Sequence, residues 1–359
     1  MRISPRAGRR LLSPPSQLAV MPLTTTLGRL AAGENLSLDE MRATINTVMQ
    51  GGCSEEKIGQ LLTSLAAKGE TIDEVAGAAA AMRDHMTPIK TSRTGLVDTC
   101  GTGGGGSKTF NVSTTAALVA AAAGAPVAKH GNRSITSRSG SADVLMALGV
   151  NIQAELPQVE RCLDELGLCF CFAPLMHPAM KHVGAVRRKL GIRTIFNVLG
   201  PLANPARAEF QLLGAGLPEL RPLLAGAMAR LDGKRTLVVS GADGLGDVTI
   251  TGATHVTEVT GETQREFTWV PEDFGVERGE LGDLLIETPE ESAALIRRVL
   301  DREPGAPRGI VVLNAAAALI AAGAESEPKQ AAARAADAID SGEAKRLLAR
   351  LGELSHEPA

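Results

Sequence analysis

The chain has 359 residues, enough for one large domain beside a smaller one. Its formal net charge is −3, and aromatic residues make up 2% of it, with one Trp and no Tyr. These values argue against a nucleic-acid partner, which favours basic surfaces and aromatic stacking platforms. No segment approaches the run of about 20 apolar residues that spans a membrane. We therefore predict neither a nucleic-acid nor a membrane partner, so an anionic substrate must be attracted by a local cluster of cations.

The N-terminal segment, residues 1–21, differs from the rest of the chain. It carries four arginines and no acidic residue, a weak likeness to a transit peptide, but it lacks the apolar core of a secretory signal. Met21 then begins a segment that resembles an ordinary start. We interpret residues 1–21 as a disordered extension or an over-long gene start.

The five cysteines are scattered, and only Cys169 and Cys171 lie close together, in an apolar run. Two residues apart on a strand, their side chains point to one face. We interpret them as buried thiols of a cytoplasmic protein, because no second Cys or His pair accompanies them to complete a zinc site.

Helix signals dominate residues 22–92. The segments Ser37-Leu-Asp-Glu40 and Thr71-Ile-Asp-Glu74 have the capping-box pattern. Ser54 is placed to cap a third helix, which Gly69 would end. Short links join these helices, so we predict a small helical domain of three helices.

From residue 93 onward, short apolar strands alternate with helices. We predict strands at residues 96–98, 127–129, 237–239 and 310–313, and helices over residues 113–123 and 141–148. This alternation is typical of an α/β domain with a largely parallel sheet.

A glycine-rich loop follows the first of these strands. Residues 98–114 read Asp-Thr-Cys-Gly-Thr-Gly-Gly-Gly-Gly-Ser-Lys-Thr-Phe-Asn-Val-Ser-Thr. Such a loop and the helix start behind it suit a phosphate group, although a flexible hinge fits a glycine run equally well. The spacing is neither that of a P-loop nor a clean dinucleotide fingerprint. Asn111, Ser113 and Thr114 at the helix start favour a ligand.

Two further segments carry candidate chemistry. Residues 129–141 begin Lys-His-Gly-Asn-Arg directly after a strand, where open α/β sheets bind ligands, and include Lys129, Arg133 and Arg138. This position favours anion binding over a solvated loop. Residues 186–205 include Arg187, a candidate partner for a substrate carboxylate. The pairs Gly200-Pro201 and Asn204-Pro205 predict a structured turn rather than a helix.

Together, the three segments resemble the anthranilate phosphoribosyltransferase family. Its motifs read Gly-Thr-Gly-Gly followed by Thr-Phe-Asn-(Ile/Val)-Ser-Thr, then Lys-His-Gly-Asn-Arg, then Arg-Thr-Ile-Phe-Asn-(Leu/Val)-Leu-Gly-Pro-Leu-x-Asn-Pro. The resemblance extends over residues 27–350. It implies a nucleoside-phosphorylase-like fold, with a helical domain of residues 22–92 completed by helices around 176–196, and a larger α/β domain of residues 93–175 and 197–352 with a mainly parallel sheet. It also implies a homodimer joined through the helical domain.

The resemblance implies transfer of the phosphoribosyl group of phosphoribosyl pyrophosphate (PRPP) to anthranilate, in tryptophan biosynthesis, by positioning and electrostatics without a catalytic side chain. The residues that it places at PRPP are Gly101, Thr102, Gly103, Gly104, Thr109, Asn111, Ser113, Thr114 and Lys129. Those that it places at anthranilate are Gly101, His130, Asn132, His177 and Arg187, with Arg187 facing the carboxylate. Without the resemblance, His177 fits a helix-cap histidine equally well.

The expected metal site departs from the family pattern. The acidic residue after the glycine loop is Gly105 here, and the family's Asp-Gly-Leu-Asp-Glu reads Asp243-Gly-Leu-Gly246-Asp247. Magnesium requires hard oxygen ligands, so both changes weaken its site. We predict one Mg²⁺ held by Asp247 and Ser113, with a second arriving mainly on the substrate.

Two alternatives remain open at this stage. Weakened metal ligands fit a catalytically weak relative that binds nucleic acid, although the charge and the few aromatic residues argue against it. A pyrimidine-nucleoside phosphorylase would share the fold and a glycine-rich loop, but it lacks the segment of residues 187–205.

Overall fold

The computed structural model describes residues 22–103, 108–134 and 139–358. Its first part is a bundle of helices. Ser37 and Thr71 each form the predicted capping box, and the Ser54 hydroxyl accepts a hydrogen bond from the Lys57 amide. The first helix was not predicted, because Pro22 before it provides no side-chain cap. The helices are α1 (Leu23–Ala31), α2 (Leu38–Met49), α3 (Glu55–Lys68) and α4 (Ile72–Asp84).

Helices α2 and α4 cross closely at a glycine. A Cβ atom at Gly77 would lie 2.3 Å from the Leu38 carbonyl oxygen, so this backbone contact requires a residue without a side chain. The apolar core of the bundle also includes Val183 and Val186 of a later helix, and it continues into residues of later strands such as Leu213 and Val238.

The second part is an α/β domain built on one sheet. Its seven strands lie in the order β3-β2-β1-β4-β5-β6-β7, and the neighbours from β3 to β5 are parallel. The pairs β5–β6 and β6–β7 are antiparallel, so the sheet is mainly parallel and the predicted fold class is confirmed. The strands are β1 (Val97–Asp98), β2 (Val127–Gly131), β3 (Leu168–Phe172), β4 (Phe210–Gly214), β5 (Arg235–Gly241), β6 (Thr254–Thr260) and β7 (Thr263–Trp269).

The remaining helices cover the sheet or carry its connections. Helix α13 is buried along most of its length beside α5 and α14. Short 3-10 helices lie at Pro178–Met180, Gly200–Leu202, Pro271–Phe274 and Leu281–Leu284. The helices are α5 (Val112–Ala122), α6 (Ser141–Ala147), α7 (Leu156–Leu166), α8 (Ala173–Met176), α9 (Lys181–Leu190), α10 (Phe196–Leu199), α11 (Leu220–Ala229), α12 (Pro289–Leu300), α13 (Ala306–Ala321), α14 (Pro328–Asp340) and α15 (Glu343–His356).

Two sequence-based predictions were wrong. Residues 310–313 lie inside α13 and form no strand, because a helix that is buried on all sides has the same apolar composition as a buried strand. The alanines that follow favour the helix. Part of the expected turn, Gly200–Leu202, is a 3-10 helix. The two antiparallel strands, β6 and β7, were not predicted.

The topology brings several chain segments to one edge of the sheet. Because β1, β2, β4 and β5 are parallel, their carboxyl ends meet there. The glycine-rich loop follows β1, the Lys-His-Gly segment ends β2, and the segment that contains Asp247 follows β5.

Candidate active site

A buried carboxylate holds the first two loops together. Asp98 ends β1 and is fully buried, and its Oδ1 accepts hydrogen bonds from the backbone amides of Cys100 and His130, both at 3.1 Å. Burial raises the pKa of Asp98 to about 6, although the nearby Lys129 charge favours its ionised form. One carboxylate therefore fixes the start of the glycine-rich loop against the end of β2.

Three glycine backbones pack against one another beneath the site. A Cβ atom at Gly101 would lie 2.8 Å from the Gly214 carbonyl oxygen, and one at Gly214 would lie 1.8 Å from that of Gly246. Thr102 binds the loop to these glycines. Its amide donates a hydrogen bond to the Gly214 carbonyl oxygen, and its hydroxyl accepts one from the Gly216 amide. The glycine-rich loop thus packs against Gly214, which in turn packs against the segment that carries Asp247.

Lys129 places a buried positive charge at the centre. Lys129 is 3% exposed, and its Nζ lies 3.1 Å from the Thr99 hydroxyl and 3.5 Å from the Ser113 hydroxyl. Among the described residues it forms no ion pair within 4 Å, and the carboxylates of Asp98 and Asp247 act on its charge without a direct contact. Beside Ser113, the buried Thr114 hydroxyl has no hydrogen-bond partner in the described protein. Lys129 and the hydroxyls of Ser113 and Thr114 could together bind an anionic, oxygen-rich ligand.

Asp247 supplies a carboxylate facing this charge. Burial raises its pKa to about 6, the neighbouring Asp243 adds to that effect, and Lys129 opposes it. Asp243 itself is engaged in its loop, where it accepts hydrogen bonds from the Leu245 amide and the hydroxyls of Thr249 and Thr251. Asp247 accepts none from the described residues and is therefore the carboxylate left for a ligand.

These donors fit a single magnesium ion. Asp247 and Ser113 both lie beside Lys129 and offer a carboxylate and a hydroxyl, the hard oxygens that magnesium prefers. In residues 22–103, 108–134 and 139–358, no group of three His, Cys, Asp or Glu side chains could hold a metal. Substrate oxygens and water would have to supply the remaining ligands.

Two neutral histidines form a second part of the site. The rings of His130 and His177 are 5.0 Å apart, and both residues are buried. Burial lowers the pKa of His130 to about 4 and that of His177 to about 3, so both rings are uncharged at neutral pH. Nδ1 of His130 is paired with the Gly200 carbonyl, whereas both Nε2 atoms are buried without a partner in the described protein.

Arg187 reaches the same region through the short helix α10. Its guanidinium lies over the Phe196 ring at 5.7 Å and 3.5 Å from the Asn197 side-chain oxygen. Burial lowers its pKa, yet it forms no ion pair with any described residue. Asn197 is three residues from Gly200, which contacts His130, so α10 connects Arg187 to the histidine pair.

The other predicted site residues have the following surroundings where the structure describes them. Asn132 is exposed, and its side-chain oxygen accepts a hydrogen bond from the Arg133 amide. Thr109 pairs with Leu285 in an isolated β-bridge, and Gly103 is exposed with a φ of +63°. Gly104, Gly105 and Arg138 lie outside the described residues.

Sequence reasoning missed the segment of residues 284–292. The Phe110 amide donates to the Leu284 carbonyl, and the Asn111 amide donates to the Ser292 hydroxyl at 3.1 Å. The start of α12 was recognisable from Thr288 and the proline after it, the pattern of a capped helix. Nothing local to this segment indicated that it packs beside the glycine-rich loop.

No helix in the described part of the chain is both long and apolar enough to cross a membrane.

Residues 24–86 match the family model of the glycosyl transferase helical bundle domain, and residues 93–345 match that of the glycosyl transferase a/b domain. Fold and site together therefore define a two-domain glycosyl transferase.

Similar proteins narrow this class. The anthranilate phosphoribosyltransferase of Rhodopirellula baltica is 48% identical over 89% of this chain and 94% of its own length. The crystal structure of the Thermus thermophilus enzyme of that name has a TM-score of 0.87 and 41% identity, over 92% of this chain and 99% of that one. The Saccharomyces cerevisiae enzyme in complex with PRPP and Mg has a TM-score of 0.84 and 28% identity, over 93% and 97%. The chain belongs to the anthranilate phosphoribosyltransferase family.

Proposed function

We propose that the protein transfers the phosphoribosyl group of PRPP to the amine of anthranilate, giving N-(5-phosphoribosyl)anthranilate and pyrophosphate, a step of tryptophan biosynthesis. The observation that carries this proposal is the buried Lys129 ammonium, which has no ion-pair partner among the described residues. A pyrophosphate group would supply the direct ion pair that Asp98 and Asp247 do not form with Lys129. The relatives support this reading and give no support to a nucleic-acid-binding protein or a nucleoside phosphorylase.

The reaction requires alignment and charge stabilisation. The anthranilate nitrogen attacks C1 of the ribose, the bond from C1 to the pyrophosphate oxygen breaks with its electron pair on that oxygen, and the nitrogen releases a proton to water. Lys129 faces the departing charge from a buried position, where electrostatic stabilisation is strong. Arg187 holds the substrate carboxylate, and His130 and His177 line the pocket as uncharged rings, so Arg187 is the cation that orients the substrate there.

We also propose that Mg²⁺ is the cofactor, held by Asp247 and Ser113. When bound, it would neutralise oxygens of the leaving pyrophosphate. The unpaired carboxylate of Asp247 supports this assignment, as does the presence of Mg in the yeast relative's structure. The remaining predicted contacts to PRPP and anthranilate stay part of the proposal.

Two broader proposals rest on the family resemblance. We propose a homodimer joined through the helical domain, which light scattering on the purified chain would test. We also propose a cytoplasmic location, which fits the five free cysteines and which microscopy of a tagged chain in its native cell would test.

The decisive experiment follows anthranilate fluorescence during incubation with PRPP across a magnesium titration. We expect consumption that requires both PRPP and Mg²⁺ and releases pyrophosphate. Arg187→Gln should raise the KM for anthranilate by about tenfold or more, because a charge-assisted pair is lost. The control Arg188→Gln changes an exposed neighbour and should leave it unchanged. Phosphorolysis of a pyrimidine nucleoside, or DNA binding without transfer, would refute the proposal.

A further inference from the structure

The side-chain amide of Asn111 is held by serines from two other segments. Its Oδ1 accepts hydrogen bonds from the hydroxyls of Ser139, at 2.7 Å, and Ser292, at 2.8 Å. Its Nδ2 donates to the Ser139 carbonyl at 3.1 Å. An amide oxygen has two lone pairs and an amide nitrogen has two hydrogens. Within the described part of the chain, the network therefore occupies the oxygen and leaves one N–H of the Asn111 side chain for a ligand.

Ser292 contributes to this network from a distant part of the chain. It belongs to α12, 181 positions after Asn111, and it is fully buried. Its hydroxyl donates to Asn111 Oδ1 and also accepts from the Asn111 backbone amide, at 3.1 Å. Both the side chain and the backbone of Asn111 are thus fixed by one hydroxyl.

The chain before α12 reinforces this contact. The Ile286 amide donates to the Lys108 carbonyl at 2.8 Å, and the Phe110 amide donates to the Leu284 carbonyl at 2.9 Å. The segment that leaves the glycine-rich loop therefore lies against residues 284–286 before it reaches Ser292. These bonds restrict the start of α5, where Asn111 and Ser113 face the expected ligand.

We propose that Ser292 is a positioning residue for PRPP, which orients the Asn111 amide so that its remaining N–H meets the donor. This inference rests on the proposed function and adds to it a residue outside the three motif segments. Without the Ser292 hydroxyl, Ser139 alone among the described residues holds the Asn111 side-chain amide, and the Asn111 backbone N–H loses its hydrogen-bond partner, so donor binding weakens.

The test measures the KM for PRPP, kcat, and calorimetric binding of inorganic pyrophosphate. Ser292→Ala should raise the KM for PRPP and the pyrophosphate Kd by about tenfold, with a smaller change in kcat. Ser292→Cys keeps the shape but is a weak donor, and should show an intermediate increase. The Cys variant carries the test if the Ala variant does not fold.

Ser355 provides a matched control. It is also a buried serine whose hydroxyl accepts from an asparagine backbone amide, that of Asn151, at 2.9 Å. Ser355→Ala should lower the melting temperature to a similar extent as Ser292→Ala, yet leave the KM for PRPP unchanged. Equal KM values for the two variants would overturn the proposal.

A double-mutant cycle separates positioning from general damage. In an Asn111→Ala background, Ser292→Ala should raise the KM for PRPP much less than in the unmodified protein, because only its hydrogen bond with the backbone amide of residue 111 remains to be lost. A further tenfold rise in that background would overturn the proposal. Absence of anthranilate consumption by the unmodified protein would refute the proposed function instead, and pyrophosphate binding would still report on Ser292.

Discussion

Gly214→Ala tests the packed glycine backbones under the active site. The added methyl carbon would lie 1.8 Å from the Gly246 carbonyl oxygen, whereas a carbon and a carbonyl oxygen approach to about 3.3 Å. The Gly246 carbonyl must therefore retreat by roughly 1.5 Å. Asp247 follows Gly246 directly, so the proposed magnesium ligand would be displaced with it. A misplacement of about 1 Å at a reaction centre costs about 100-fold in rate.

We expect Gly214→Ala to lower kcat/KM by about 100-fold and stability by about 1–3 kcal/mol or more, the usual cost of overpacking. The assays are anthranilate fluorescence and urea unfolding. Gly252→Ala is the control. Gly252 lies in the same connection between β5 and β6 as Gly246, and nothing is within 4 Å of its Cβ position. If Gly214→Ala keeps the activity and stability of Gly252→Ala, the close packing inferred at Gly246 is wrong.

Three further outcomes are expected. Asp247→Ala should raise the magnesium concentration for half-maximal activity by more than about tenfold, whereas Asp243→Ala should mainly lower the melting temperature; equal magnesium curves would contradict this. The pKa of His177 is about 3 when folded and about 6.5 when unfolded, so its stabilising contribution is present above pH 6.5 and is lost as pH falls. Urea unfolding should show the wild-type advantage over His177→Leu shrinking by about 3 kcal/mol between pH 7 and pH 4, and a constant difference would refute it. Gly77→Ala should destabilise the helical bundle, whereas Gly28→Ala, with nothing within 4 Å, should stabilise it by about 0.5–1 kcal/mol; thermal melts with the opposite order would contradict this.

The parts of the fold that were predictable carry their signal locally. The capping boxes at Ser37 and Thr71 are formed within four residues, and the structure has both. Residues 310–313 were misassigned because a short apolar run has the same composition in a buried helix and in a buried strand, and only the alanines after it favour the helix. Strands β6 and β7 lack an apolar run, since most of β7 is exposed.

In the candidate site too, only the residues with a local sequence signal were predictable. Lys129 and His130 stand in a recognisable motif, and the structure places both at one edge of the sheet. The role of Ser292 was not predictable, because a lone serine in a helix has no local pattern and its importance depends on a partner 181 positions away. The family resemblance selects Asp247 rather than Asp243 as the metal ligand. The residues around Asp243 do not show that its carboxylate is engaged within its own loop, since that depends on how the loop folds.

The hydrogen bonds of Asp98 have a consequence for how the two substrates influence each other. One carboxylate holds the backbone at both Cys100 and His130, so neither loop can shift without changing the bond that positions the other. If PRPP and anthranilate bind where we propose, a shift of the backbone at Cys100 when PRPP binds would therefore also shift the backbone at His130, beside anthranilate. Thermodynamic linkage makes this influence mutual: the factor by which PRPP changes the affinity for anthranilate equals the factor by which anthranilate changes the affinity for PRPP.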